Sequence, residues 1–384
     1  MESKKETQRN RPSPVKLGDY IELREEVNTD LSFGVESVRG VNNLKKLMPT
    51  KADISGRDLS KFQIVYPGEF VFNHRTSRNG SKFSIALNDG NEPVICTEDY
   101  VVFRIKEEAK QHLLTDWLYM FFNRPEFDRY VITNSWGSST EFYNWEDLCD
   151  VALKLPSLPV QKKYVNIYMA MVANQQSYER GLEDLKLTID AQLDKVKHSF
   201  PQRQVRDLLQ EIDVRNDDGV ITSVQGINIA KQFMPSIADT TGVNLRNYKI
   251  VRAGQFAYSG MQTGRDECIR IALYRGENPI IISPAYYVFE VSDKSVLAEY
   301  LMTWFSRAES DRRGWFMSDS SIRTNLDLDR FYEIMIPVPD MALQKAIVEL
   351  QSAYVLRRDI NERLKTQIKE ICPLLIRGSL MEEK

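Results

Sequence analysis

Short apolar runs, each ended by glycine, proline or asparagine, fill the early part of the chain: "KFQIVYPGEFVFN" (61–73), "FSIAL" (83–87) and "DYVVFRI" (99–105). β-branched and aromatic residues in runs of this length, between turn formers, predict the strands of a twisted sheet. The pattern then changes period. "LLTDWLYMFFNRPEFDRYV" (113–131) spaces its apolar residues three and four apart and predicts one helix. A proline-bounded strand, "ALKLPSLPVQ" (152–161), leads into a long uninterrupted helical pattern from Gln161 to about His198.

The same succession returns. "VLAEYLMTWFSRAESDRR" (296–313) predicts a second helix, "IMIPVPDMALQ" (334–344) a second closing strand, and a second long helix runs from Gln344 to about Ile376. Shifted by 186 residues, Val38–Asn73 aligns with Val224–Ser259 without a gap, at 14 identities in 36 positions. Chance gives about two at ordinary residue frequencies. Gly40, Gly56 and Gly68 meet Gly226, Gly242 and Gly254, positions where a side chain is unwelcome, and Ile64-Val65 meet Ile250-Val251, a strand core. After a three-residue deletion the offset is 183: Leu118, Phe122, Arg124, Asp128 and Arg129 meet Leu301, Phe305, Arg307, Asp311 and Arg312, and Gln161 meets Gln344. The sequence thus reads as two copies of a unit of about 185 residues, far longer than a solenoid repeat.

Both long helices carry an apolar seam. Tyr178, Leu182, Leu185, Ile189, Leu193 and Val196 recur at spacings of three and four, as do Ile360, Leu364, Ile368, Ile371 and Leu375. A helix resting on its own domain shows the same stripe. Equivalent places in two copies favour packing of the helices on each other, as a spacer bar of ~50 Å at ~1.5 Å per residue.

Composition narrows the classes. A chain of 384 residues exceeds one ordinary domain. Four scattered cysteines, Cys96, Cys149, Cys268 and Cys372, form no Cys-x-x-Cys pair and indicate neither a disulfide framework nor a zinc knuckle, which points to a reducing cytoplasm. No apolar run approaches a membrane span, and the polar opening "MESKKETQRNRPSP" reads as a loose tail. A net charge of −3 argues against a surface that grips nucleic acid everywhere, and leaves room for a local basic face.

Catalytic signatures are missing. The sequence holds no phosphate loop, no dinucleotide glycine turn, no Gly-x-Ser-x-Gly and no His-Glu-x-x-His, and His74, His112 and His198 lie far apart. Pro339-Asp340 reads as a helix cap.

Binding chemistry is better represented. "NHRTSRNGSK" (73–82) sets His74, Arg75, Arg78, Asn79 and Lys82 between two predicted strands with no acid. Cations and hydroxyls there suit phosphates, and a long Arg suits a base edge. The matching place in the second copy, "SGMQTGRDECIR" (259–270), offers Gln262, Thr263, Arg265 and Arg270. Such segments are equally solvated hairpin loops. "NSWGSSTEFYN" (134–144), with Ser138 and Thr140, and "MSDSSIRTNLD" (317–327), with Ser321 and Arg323, are turn-rich and give a second candidate polar surface. Glycines and core residues match between copies while residues 73–84 hardly match their partners, the pattern of one scaffold serving two different targets.

Over about Val15 to Gly378 the sequence resembles the DNA specificity subunit of type I restriction-modification systems. The features that carry the resemblance are the two closing strands with their glutamine, "LPSLPVQ" (155–161) and "IPVPDMALQ" (336–344), each followed by a long helix. The family's strands often read Leu-Pro-Pro-Leu-x-Glu-Gln; here Val160 and Leu343 replace the Glu, and Ser157 or Val338 interrupts the proline pair. The resemblance implies a mixed α/β (α+β) fold of two duplicated target-recognition domains separated by long helices that form an antiparallel coiled coil with pseudo-twofold symmetry. The expected boundaries are a tail at 1–14, domains at 15–160 and 201–343, spacer helices at 161–200 and 344–378, and a tail at 379–384.

It further implies that the chain is not an enzyme. Each domain would read one half of a bipartite site in double-stranded DNA, with the helices fixing the gap. Two methyltransferase subunits and a motor and restriction endonuclease subunit would dock on it; S-adenosylmethionine, ATP and Mg would belong to those partners, with no cofactor or metal held here and no membrane involved. The rival readings are an assembly protein that pairs helices with other chains without reading DNA, and a self-contained nuclease or methyltransferase.

Overall fold

The computed structural model describes residues 14–42, 44–50, 53–75, 82–137, 141–236, 242–261, 263–319 and 324–382. Its contacts divide the chain into two units, Met1–Ser177 with Asn361–Lys384, and Tyr178–Ile360.

In the first unit β1 (Ile21–Arg24), β2 (Phe70–Asn73), β3 (Ile85–Leu87) and β4 (Tyr100–Ile105) form an antiparallel sheet in the order β1-β4-β2-β3. Phe70 pairs with both Phe103 and Leu87, and Phe72 with Ile85, so the two-residue pleat sends these five to one face. There they meet the helices. Val71, Ala86 and Val102 point the other way, into a smaller cluster with Val65 and Cys96 from a neighbouring strand pair. Burial on both faces is why these strands read as continuous apolar runs instead of alternating ones.

The helical layer comprises α1 (Thr115–Phe122), α2 (Pro125–Thr133) and the short α3 (Trp145–Cys149), whose Asn144 and Asp147 make a reciprocal cap. One helix was expected over 113–131; two are found. Pro125 has no N–H and forces Arg124 into an extended conformation (φ −82°, ψ 139°), which ends α1.

Two long helices follow the closing strands: α4 (Leu158–Ser199), then α10 (Met341–Met381) at the far end of the sequence. The side chain of Asp340 accepts from the Leu343 amide at 2.9 Å, the cap expected at Pro339-Asp340.

The second unit repeats this order of elements. After α5 (Val205–Leu208), the strands β5 (Leu209–Glu211), β6 (Phe256–Ser259), β7 (Arg270–Leu273) and β8 (Tyr287–Val291) pair as β5-β8-β6-β7. The segment between β6 and β7, read as a hairpin loop, contains a helical turn, α6 (Thr263–Asp266). Then come α7 (Ala298–Phe305), α8 (Ala308–Met317) and α9 (Leu328–Tyr332). The break between α7 and α8 falls where α1 breaks from α2, although no proline is present; Arg307 is again extended (φ −76°, ψ 143°). Its guanidinium is held by Asp190 and Asp194 of α4. The turns before β2 and β6 each place a glycine, Gly68 and Gly254, at φ +84°, a conformation that other residues adopt only with strain.

Much of the predicted helical seam is buried in the unit cores. Ile189, Leu193 and Val196 join the core of the second unit together with Ile347, and Leu375 joins that of the first, with Ile368 and Ile371 packed against it. Leu182, Leu185, Ile360 and Leu364 are half-buried. The core of each unit therefore takes in helix residues from outside the boundaries expected for its domain.

Candidate nucleic-acid interface

Each unit holds its variable segment at two points. At the start, the segment leaves the second strand of the sheet. At the end, a buried lysine–aspartate pair receives it. Lys45 lies 2.6 Å from Asp128 of α2, and the same Asp128 oxygen accepts the amide of Phe83, the residue that leads into β3. Lys45 also donates to the Phe122 carbonyl, which closes the end of α1. Burial pushes its ammonium down from the usual lysine range, and Asp128 works against that shift. In the second unit Lys231 lies 2.6 Å from Asp311 of α8, which accepts the Ile269 amide at 2.9 Å, and Lys231 donates to the Phe305 carbonyl. Sequence reading passed over both lysines, although the ungapped alignment pairs them.

A second device fixes the helical layer. Gln161 is fully buried; its carboxamide oxygen accepts the Leu114 amide at 2.9 Å at the start of α1, and its nitrogen donates to the His112 and Pro156 carbonyls, each at 2.7 Å. Gln344 does the same with the Leu297 amide at 2.9 Å and the Ser295 and Pro339 carbonyls at 2.8 Å. Only a side chain with one acceptor and two donors fits this role, which explains the glutamine after each closing strand.

The candidate binding residues stand on this frame. His74 stacks its ring on Phe142 at 5.4 Å, and its carbonyl accepts the Tyr143 amide at 2.8 Å. Burial pushes the His74 imidazole below the usual histidine range; Asp99 opposes this and Arg75 adds to it. Arg75 donates to Asp99 at 2.9 Å. The segment itself has no acid, but β4 starts beside it and brings one. Lys82 is half-buried at the end of the segment.

In the second unit Arg265 is 3.1 Å from Asp266, and Arg270 grips the same carboxylate. Burial alone would raise the Asp266 carboxyl; the hydrogen bonds from Arg270 and Arg265 outweigh it and hold the group below the usual carboxylate range. Thr263 is a correction. It is fully buried, and its hydroxyl donates to the Gly260 carbonyl at 3.0 Å, so it shapes the turn and presents nothing to a ligand. Gly260 itself lies where an added Cβ would sit 1.9 Å from the Leu326 carbonyl oxygen, so the segment after α8 is seated directly on the loop. Arg78, Asn79, Ser138, Thr140, Gln262, Ser321 and Arg323 lie outside the described residues.

Each unit thus places arginines, oriented by carboxylates, at the end of its sheet strands or on the turn between them. The Arg75–Asp99 pair is exposed, and pairs of that kind contribute ~0–1 kcal/mol, so a phosphate can displace Asp99 at little cost, whereas Asp266 is only 14% exposed and holds its arginines more firmly. Among the described residues no group of three or more His, Cys, Asp or Glu side chains could hold a metal ion, the four thiols are free, and no helix is long and apolar enough to cross a membrane.

Residues 244–370 match the family described as the type I restriction modification DNA specificity domain. No curated protein matches. Among solved structures, the type I restriction-modification S subunit from M. genitalium aligns at a TM-score of 0.57 and 13% identity, over 97% of this chain and 96% of that one. A structure described as the basis of complex assembly and conformational transition of the type I R-M system aligns at 0.47 and 14% identity, over 97% and 98% of the two chains. The HsdS subunit from Thermoanaerobacter tengcongensis aligns at 0.40 and 13%, over 98% of each. The first of these shares the fold along nearly its whole length, and the matched segment holds Arg265, Arg270, α7 to α9 and most of α10. Residues 244–370 are thus similar to the type I restriction modification DNA specificity domain, and the chain shares its fold with a type I S subunit.

Proposed function

We propose that this chain is the specificity subunit of a type I restriction-modification complex and that each unit reads one half of a bipartite site in double-stranded DNA. The observation that carries the reading is the coincidence of the family match with the anchored arginine segment of the second unit, residues 259–270. The first unit holds its own segment by the same lysine–aspartate device and its helical layer by the same glutamine, which supports the same task for a duplicated domain. Different side chains in the two segments then read different half-sites, with phosphate contacts supplying affinity and base edges specificity.

The boundaries set out above, domains at 15–160 and 201–343 and spacers at 161–200 and 344–378, remain part of this proposal. α4 and α10 would form an antiparallel, pseudo-twofold coiled coil that sets the gap. Support comes from the order of pairings: Lys163 with Glu382 at 2.7 Å and Gln175 with Asn361 at 2.9 Å in the first unit, Tyr178 with Arg357 at 3.3 Å in the second. On this reading the chain is non-catalytic and works in the cytoplasm. Two methyltransferase subunits bring S-adenosylmethionine and modify adenines, and motor and nuclease subunits bring ATP and Mg.

The test is to co-express the chain with its methyltransferase and map methylated adenines across the host genome. A split motif with a fixed gap is expected, and exchange of residues 73–84 should change one half only. Methylation at a continuous motif, or a stable complex whose DNA affinity is untouched by loss of Arg75 and Arg265, would overturn the reading in favour of an assembly protein.

A further inference from the structure

The carboxylate that meets the first unit's basic segment comes from outside it. Asp99 stands just before β4, and its Oδ1 accepts from Arg75 Nη2 at 2.9 Å. Arg75 is itself placed by its backbone, whose amide donates to Asn73 Oδ1 at 2.9 Å and which bridges Phe142. The two side chains are 35% and 48% exposed, so a ligand on the segment meets both. A carboxylate with one oxygen on a guanidinium keeps acceptor capacity for a further donor.

The pair belongs to the first unit alone. At the offset of 186 residues Met261 and Ala285 stand in the places of Arg75 and Asp99, while Tyr286 keeps the place of Tyr100. In the second unit Asp266 is only 14% exposed and is taken up with Arg265 and Arg270. One shared scaffold thus carries an accessible arginine and aspartate, side by side, in one copy only.

A segment that only gripped phosphates would bind better without Asp99, which repels them and competes for Arg75. A base edge uses both groups. In the major groove a guanine–cytosine pair offers N7 and O6 of guanine as acceptors and N4 of cytosine as a donor, and O6 and N4, bonded to each other, lie side by side. Arg75 and Asp99 form the complementary row, donor beside acceptor at hydrogen-bond distance. The reversed pair sets N4 against the guanidinium and O6 against the carboxylate. Adenine facing Arg75 sets N6 against the guanidinium, and thymine there supplies O4 but brings adenine N7 to the carboxylate side. Guanine facing Arg75 is the arrangement that satisfies both side chains.

Resting on the DNA-reading function above, we propose that Asp99 is a specificity-determining residue, which with Arg75 reads one G·C pair in the half-site of the first unit, guanine on the guanidinium and cytosine N4 on the carboxylate.

The experiment uses the complex with the methyltransferase subunits. Absence of a split motif in wild type would remove the underlying reading, and this proposal with it, before any variant is made. Given the motif, the half altered by exchange of residues 73–84 is that of the first unit, and it should hold a fixed G·C pair. Duplexes with N4-methylcytosine placed in turn along that half lose the major-groove donor and keep their pairing. At one cytosine the methyl group should weaken wild-type binding about tenfold or more, and Asp99→Ala should bind the methylated and unmethylated duplexes alike. In the genome-wide map Asp99→Ala should become degenerate at that position, while the other half stays strict and shows that the chain is folded. A first half without a G·C pair would overturn the role of Asp99 and leave the DNA reading intact. So would wild-type binding indifferent to N4-methylcytosine everywhere, alongside loss of the half-site in Arg75→Ala. Sensitivity to N4-methylcytosine that persists in Asp99→Ala would assign the contact to another residue and equally overturn the proposal.

Discussion

Asp266 and Arg265 lie 3.1 Å apart, and the same carboxylate is gripped from its other side by Arg270. Asp266 thus offsets one of the two arginine charges at this place, and the neighbouring Glu267 brings a second acid. Replacing Asp266 with Asn should raise affinity for any duplex and steepen the dependence of log K on log salt by roughly one phosphate contact. Discrimination between specific and non-specific DNA should shrink. A salt titration of binding to a specific and an unrelated duplex measures both effects.

Gln344→Ala should destabilise the chain by about 3 kcal/mol, because the Leu297 amide and two buried carbonyls lose their partner together. Gln161→Ala should act alike on the first unit. Gln344→Glu should be no better, since it replaces two donors with an oxygen facing carbonyls. Denaturant unfolding followed by circular dichroism reads the loss.

Asp128→Ala leaves the Lys45 ammonium buried with its carbonyl contact and no counter-charge; the pair's side chains are only 6% and 13% exposed. Breaking one partner of such a pair typically costs about 3–5 kcal/mol. Because Asp128 also accepts the Phe83 amide, hydrogen exchange at Phe83 should accelerate more than at Val71 in the middle of β2. Equal acceleration at both would mean that the pair supports the whole unit and not the segment's end.

His74 gives a pH dependence. Its folded-state pKa is lowered, chiefly by burial, so the unfolded chain takes up the proton first. Stability should be level above pH ~6.5, the unperturbed histidine value, and fall as the pH drops below it. His74→Asn should remove that increment. In an NMR titration the imidazole should protonate below the free-histidine midpoint; a midpoint above it would contradict the buried setting.

Some of this was legible in the sequence. Gly68 and Gly254 stood out because two aligned glycines before a strand mark a backbone need, and Gln161 and Gln344 because their spacing from the prolines is the same. Asp340 was readable as a cap from local order alone. What escaped depends on distant contacts. Lys45 and Lys231 look like ordinary surface lysines, and only the fold brings an aspartate from 83 and 80 residues away. Asp99 was invisible for the same reason, so a segment without acids looked more positive than it is. Thr263 was mistaken for a contact residue because a hydroxyl in a loop gives no sign of which way it turns. The α1–α2 break was foreshadowed by Pro125, but the matching break at Arg307 has no local signal.

The anchor at the end of the first variable segment takes hold of a main-chain amide, that of Phe83, and not of its side chain. Every amino acid but proline has that group. The stretch between Asn73 and Phe83 is therefore free to mutate, recombine or be exchanged wholesale without loosening the grip at its exit. A change of spelling in that stretch leaves untouched the one bond that ties its exit to α2.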